Sequence, residues 1–391
     1  MKYDDFVKIA HQVDEAKTIT LCQNLVQTAS ISGDELPIAH LAAEYLAHAG
    51  LQVELIKHEP RRASVLAVLK GNGEKPALLF SAHMDTVSPG EARWQHDPFA
   101  AEIAEGKIWG RGASDMKSGM AALMSAAKTL ADCGLPRKGD LYLALSAGEE
   151  TGLVGARALI ESLTNKGIQA ALIAEPSANE LVTAEKGALW LQLITYGKTA
   201  HGSMPECGHN AIVMMLELLR ELQQSSFAHT PHPLLGDFTH SLNVISGGIG
   251  TNVVPDLCTA AVDMRTVPGQ DHHQIIAQIQ CLFQKLEKRL PGFKADIRVL
   301  NDCPPLSVAE DNPFVQLVAQ AAQTITTKAV QPRGVRFFSD GAVLIPALQI
   351  PWVIIGPGPA ELAHQPDEYV EVEKLVQAAR IYTLSAAQYL L

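Results

Sequence analysis

Two periodicities divide the chain. Residues 4–28 carry apolar positions at helical spacing with one interruption, and "LPIAHLAAEYLAHAG" (36–50) reads as a second helix that Gly50 stops. Short apolar runs then predict strands in "LQVELIK", "SVLAVLK" and "PALLFSA". After the loop "GRGASDMKSG" come the small-residue helix "MAALMSAAKTLADCG", the strand "DLYLALSA", the helix "LVGARALIESL" and the strand "AALIAEP". Helices alternating with fully apolar strands imply an α/β layer whose largely parallel sheet is covered on both faces.

From about residue 180 the spacing changes to period two, in "LVTAEKGALWLQLITY", "SLNVISGG" and "LCTAAVDMRTV", with helices near 208–224 and 271–288. The order β-α-β-β-α-β suggests a compact, ferredoxin-like α+β unit with one helical face. A helix (312–328), the strand "PWVIIGP" and a last helix (371–390) restore the first pattern. The expected organisation is a catalytic domain formed by 1–179 and 298–391, interrupted by an inserted lid or dimerisation domain at 180–297.

A length of 391 residues suits two such domains. The formal net charge of -11, with no basic run, argues against nucleic acid or an anionic membrane as partner. The first residues, "MKYDDFVKIAHQVDEA", have acids where a secretory signal needs apolar residues, so a cytoplasmic location is expected. Six scattered cysteines without a C-x-x-C pair indicate neither a thiolate zinc site nor a disulfide framework; they read as reduced and mostly buried.

Four segments end a predicted strand, or open a helix, with His, Asp or Glu. Ligands in open parallel sheets gather off the carboxyl ends of the strands, so these segments can converge. In "LLFSAHMDTV", His83 and Asp85 leave the same face of an extended segment, and Asp85 is expected to accept a hydrogen bond from the non-ligating nitrogen of His83. Asp115 precedes a helix, where it could equally be an N-cap. Glu149 and Glu150 stand together in "SAGEETG", and Glu175 ends a strand in "LIAEPSA"; far downstream of these four, the Gly/Pro-rich "GPGPAELAHQPDEYV" supplies His364. Two histidines with several carboxylates suit Zn²⁺, Co²⁺ or Mn²⁺, and a two-metal site needs one carboxylate to bridge the ions. A metal ligand spends its lone pairs on the cation whereas a general base keeps one free, so the adjacent acids should have separate tasks.

"SAHMDTV", "WGRGASDMKSGMAA", "SAGEETGLVGA", "IAEPS", "KTAHGSMPECGHNAI" and "GPGPAELAHQPDEYV" together resemble the dinuclear zinc deacylases and exopeptidases. That family includes acetylornithine deacetylase, succinyl-diaminopimelate desuccinylase, aminoacylase-1 and the glutamate carboxypeptidases. The resemblance runs from about residue 75 to 385. It implies two Zn²⁺ ions, with Co²⁺ or Mn²⁺ as substitutes. His83, Asp115 and Glu175 would hold one, and Asp115, Glu150 and His364 the other. It further implies Glu149 as general base, a cis peptide bond after Asp115, and His201 as an oxyanion donor in its own or a partner subunit's site.

On the same ground Asn252 and Arg265 would contact substrate, as would Ser339, Asp340 and Gly341 in "VRFFSDGAVL"; read alone, these are an Asn turn, a surface ion pair and a routine turn. The doublet His272-His273 reads as a solvated helix face. The implied activity is hydrolysis of the amide bond of an N-acyl amino acid, with a carboxypeptidase or dipeptidase of the same family as the alternative. The implied partners are a small N-acyl amino acid or short peptide and a second copy of the chain. A non-catalytic binding or assembly protein on this fold would lack a ligand or the base, and all of these positions are filled.

Overall fold

A computed structural model describes residues 1–391. It divides into two compact units, one made of Met1–Thr183, Val308–Arg333 and Ser339–Leu391, the other of Ala184–Ser307 and Gly334–Phe338.

The sheet of the larger unit runs, strand by strand, Gln52–Glu59, Arg62–Leu69, Leu141–Ser146, Ala77–His83, Ile168–Ile173 and Trp352–Ile354. The last four of the strands just named are mutually parallel. The first pair is antiparallel because only Pro60 and Arg61 connect it, too short a link for a crossover. The parallel strands are joined through the helices Lys117–Asp132 and Val154–Leu163. Lys117–Asp132 packs between Glu15–Gln27 and the C-terminal helix Val372–Leu390, which is why its sequence is almost all small or apolar. Gly119 is required there, since a Cβ would lie 2.2 Å from the Ala174 carbonyl oxygen. That contact brings the helix start, and Asp115 before it, against the strand end that carries Glu175.

The interruption in residues 4–28 is a division into two helices, Tyr3–Ala10 and Glu15–Gln27, the second capped by Asp14 through Lys17 N. "LVTAEKGALWLQLITY" is likewise two strands, Val182–Glu185 and Gly187–Tyr196. A helix, Gly341–Leu348, stands where the sequence reads as a turn. Its apolar run "GAVLIPAL" has no polar face to reveal a helical period, and Pro346 lies inside it.

In the smaller unit four antiparallel strands lie in the order Thr239–Gly247, Leu257–Thr266, Gly187–Tyr196 and Ala295–Cys303. One face buries Leu189, Leu191 and Leu193, at period two, against Met214, Met215 and Leu218 of the helix Ala211–Gln224 and Ile279 and Phe283 of the helix His272–Arg289. The histidine doublet departs from its expected reading. His273 is exposed, but His272 is buried, tied by Nδ1 to Asp302 (2.6 Å) and by Nε2 to Thr266 Oγ1 (2.8 Å). Cys22, Cys258 and Cys303 are buried while Cys207 and Cys281 are exposed, so burial of the cysteines is less general than expected. No helix is long and apolar enough to cross a membrane.

Candidate metal centre

Three parallel strands of the larger unit deliver their ends to one place. His83 is the last residue of Ala77–His83, Glu149 and Glu150 follow Leu141–Ser146, and Glu175 follows Ile168–Ile173. His364 arrives on the loop after Trp352–Ile354, and Asp115 sits two residues before the helix Lys117–Asp132, with the Asp115–Met116 peptide bond cis. Because the strands run in the same direction, their carboxyl ends lie on the same side of the sheet.

Asp115 is the shared member of two groups. Its Oδ1 lies 3.0 Å from His83 Nε2, and its Oδ2 lies 3.6 Å from His364 Nε2. Glu175 Oε2 is 3.9 Å from His83 Nε2, and Glu150 Oε1 is 3.0 Å from His364 Nε2. In each of the sets His83–Asp115–Glu175 and Asp115–Glu150–His364, one potential ligand atom per residue lies within 4.8 Å of the others. Glu149, next in sequence to Glu150, belongs to neither.

The electrostatics of this cluster are those of an anion-rich site. Burial pushes the Glu149 and Glu175 carboxyls well above the ordinary carboxylate range; His83 opposes this, and neighbouring acids add to the rise. Burial pulls the His83 imidazole down, yet Glu175, Asp115 and Glu149 around it raise it well above its ordinary value. Carboxylates crowded in a low-dielectric pocket repel, and a divalent cation relieves that repulsion while satisfying their lone pairs. The donor set, all imidazole nitrogen and carboxylate oxygen, fits a borderline or hard divalent ion.

Asp85 acts differently from the expected pairing. The His83 Nδ1 partner is the backbone carbonyl of Asp85 (2.9 Å); the carboxylate stands off at 3.7 Å. That carboxylate instead accepts the backbone N–H of Glu149 (3.0 Å on Oδ1) and of Glu150 (3.3 Å on Oδ2), and the Ser32 hydroxyl (2.7 Å). One residue thus orients His83 with its main chain and the acid pair with its side chain. The sequence could not reveal this, because the alternative acceptors on Asp85 are indistinguishable until the "SAGEETG" loop is placed.

Ser339, Asp340 and Gly341 are buried in the same unit. Asp340 Oδ2 is hydrogen-bonded by the Ser146 hydroxyl at the end of Leu141–Ser146, and burial raises its carboxyl to about 6. His201, Asn252 and Arg265 belong to the smaller unit. His201 and Asn252 are neighbours there: Gly202 N donates to Asn252 O (2.7 Å), and the exposed His201 ring accepts or donates at Ser203 Oγ (2.7 Å). Arg265 is engaged by Asp263 at 2.9 Å. A residue that sequence reasoning passed over is Glu368, in "AHQPDEYV". It is wholly buried and accepts the N–H groups of Gly112, Ser114 and Asp115.

Known proteins of similar sequence cover nearly the whole chain. A protein named "Probable succinyl-diaminopimelate desuccinylase" from Staphylococcus epidermidis is 25% identical over 398 residues, spanning 95% of this chain and 97% of that protein. An acetylornithine deacetylase from Pectobacterium carotovorum is 30% identical over 373 residues, spanning 91% and 93%. Among solved structures, an M20 family metallo-carboxypeptidase from Sulfolobus solfataricus superposes with a TM-score of 0.78 at 20% identity, covering 95% of this chain and 99% of that one. The family described as peptidase family M20/M25/M40 matches residues 79–388, a span that holds every candidate ligand from His83 to His364, and the chain is a member of that family.

Proposed function

We propose that the protein is a two-metal hydrolase that cleaves the amide bond of an N-acyl amino acid. The observation that carries this reading is the division of the Asp115 oxygens between His83 and His364, which suits a carboxylate shared by two cations. His83, Asp115 and Glu175 would hold one ion, and Asp115, Glu150 and His364 the other, with Zn²⁺ the expected metal and Co²⁺ or Mn²⁺ its substitutes. When bound, the ions would supply Lewis acidity toward water and toward the developing oxyanion. Glu149, whose carboxylate is in neither set, takes the proton from the attacking water and returns it to the leaving amine.

Asp85 positions that base. Exchanging Asp85 for asparagine keeps its size but turns an amide N–H toward a backbone N–H of the acid pair. A buried donor left unsatisfied costs about 1–3 kcal/mol. If the misplacement is felt in the transition state, kcat falls about 5- to 150-fold. Steady-state kinetics of Asp85→Asn, with metal content measured in parallel, checks this.

Substrate contacts fall to His201 as oxyanion donor, with Asn252, Arg265, Ser339, Asp340 and Gly341. A substrate carboxylate gripped by Arg265 must compete with Asp263. The names of the two relatives support an acylated amino acid as substrate. The family's designation as a peptidase favours a second reading, a carboxypeptidase or dipeptidase. N-acetyl and N-succinyl amino acids assayed beside di- and tripeptides, each with Zn²⁺, Co²⁺ and Mn²⁺, separate the two; no turnover of any of them, with no metal bound, refutes both.

The further partner is a second copy of the chain. Thr239–Gly247 is an edge strand of the smaller unit, and it leaves Leu242, Val244 and Ile245 exposed, Val244 at 60%. An unpaired apolar edge invites pairing with its own symmetry mate. Val244→Lys should shift the mass measured by light scattering from two chains to one, and a monomeric wild type would refute the assignment.

A further inference from the structure

The segments that carry Asp115 and His364 are far apart in sequence but are joined by a short ladder. Lys107–Trp109 pairs antiparallel with Tyr369–Glu371, and Gly110 N donates to Glu368 O at 2.8 Å. Beyond the ladder the two segments exchange charged side chains. Glu368 Oε1 accepts Ser114 N (2.8 Å) and Asp115 N (2.9 Å), while Oε2 accepts Gly112 N (3.1 Å) and Arg111 Nη1 (2.7 Å). Arg111 in turn directs N–H groups to the carbonyls of Gln365 (3.3 Å), His364 (3.4 Å) and Ser88 (3.5 Å). The acid of the His364 segment thus holds the amides of the Asp115 segment, and the base of the Asp115 segment holds the carbonyls of the His364 segment. Ser114 Oγ adds a bond to Pro359 O (2.8 Å), and Gly358 approaches so closely that a Cβ would sit 2.4 Å from the Ser114 carbonyl oxygen.

Both charges are buried, Glu368 at 0% exposure and Arg111 at 2%. An apolar pair of similar volume often serves stability equally well. Here it would orphan the amides of Gly112, Ser114 and Asp115, each a buried donor with a substantial desolvation cost. What the ion pair supplies beyond packing is a fixed backbone on either side of Asp115 and His364.

We infer that Glu368 and Arg111 are positioning residues that hold Asp115 and His364 at one fixed separation, and so set the affinity of the Asp115–Glu150–His364 group for its divalent cation. Neither belongs to a ligand group; both act through the residues they orient. The inference rests on the two-metal reading, and the test separates them. Metal-stripped wild-type protein, Glu368→Gln and Arg111→Lys are titrated calorimetrically with Zn²⁺ and, in parallel, with Co²⁺ followed by its visible absorption.

Wild type should take up two ions. Loss of a partner lying behind a metal ligand typically weakens metal binding about 10- to 100-fold. In Glu368→Gln the second ion should therefore bind more weakly by that factor while the first is less affected, and kcat should recover as free metal is raised. Arg111→Lys, which keeps the charge and the Glu368 carboxylate, should move in the same direction and carries the test if Glu368→Gln does not fold. Two ions bound at wild-type affinity in the variants, or a loss of activity that added metal cannot restore, would overturn the inference. Wild-type protein that takes up no metal would instead overturn the two-metal reading beneath it.

Discussion

Glu149→Ala should lower kcat by about 10²- to 10⁴-fold, the usual contribution of a positioned general base, while the protein retains its full metal content. Glu150→Ala should instead lose one ion. The two substitutions are adjacent in sequence and remove the same functional group, so any difference between them reports on direction alone. Glu150 Oε1 is turned to His364 Nε2 at 3.0 Å, whereas the Glu149 carboxylate stands outside both ligand groups in a pocket where burial pushes it well above the ordinary range. A base that has lost its hydration and is not tied to a cation has a proton affinity suited to accepting from water. Metal analysis of both purified variants, alongside kcat, decides the matter: equal metal loss in the two would show that Glu149 is also a ligand.

Much of the large unit was legible because its strands are buried on both faces. Such strands read as continuous apolar runs, "ALLFSA" or "LYLALS", and the polar residue that ends each run marks where the strand leaves the core. That signal singles out His83, Glu149, Glu150 and Glu175, and the common direction of the parallel strands explains why they lie at one end of the sheet. The smaller unit was legible for the complementary reason, its one covered face imposing period two on Leu189, Leu191 and Leu193.

What escaped depends on contacts between segments distant in sequence. Glu368 lies among polar residues in "AHQPDEYV", and nothing local distinguishes it from a solvated acid; only the approach of the Gly112–Asp115 amides explains its burial. The Asp85 carboxylate has its partners in another loop. His272 reads as solvated beside His273 because its two partners, Thr266 and Asp302, stand on strands rather than on its own helix. The helix Gly341–Leu348 escaped through composition, since a run apolar on every side carries no period to read.

The largest loss is expected at Asp115. Removing Glu175 or His364 takes away one ligand of one group, and the other group keeps its three residues. Asp115 belongs to both, with Oδ1 toward His83 and Oδ2 toward His364, so Asp115→Ala leaves each group with two members. It also leaves the acids Glu150 and Glu175 with less to hold a counterion between them. Both ions should therefore be lost, and turnover should fall to background, below that of Glu149→Ala, which still binds metal. Asp115→Asn refines the expectation, because an amide oxygen can serve one cation while its NH₂ group cannot serve the other. One ion per chain in Asp115→Asn and none in Asp115→Ala, by elemental analysis of protein equilibrated at limiting Zn²⁺, is the expected pattern. Two ions retained in Asp115→Ala would mean that the groups do not share a bridging carboxylate.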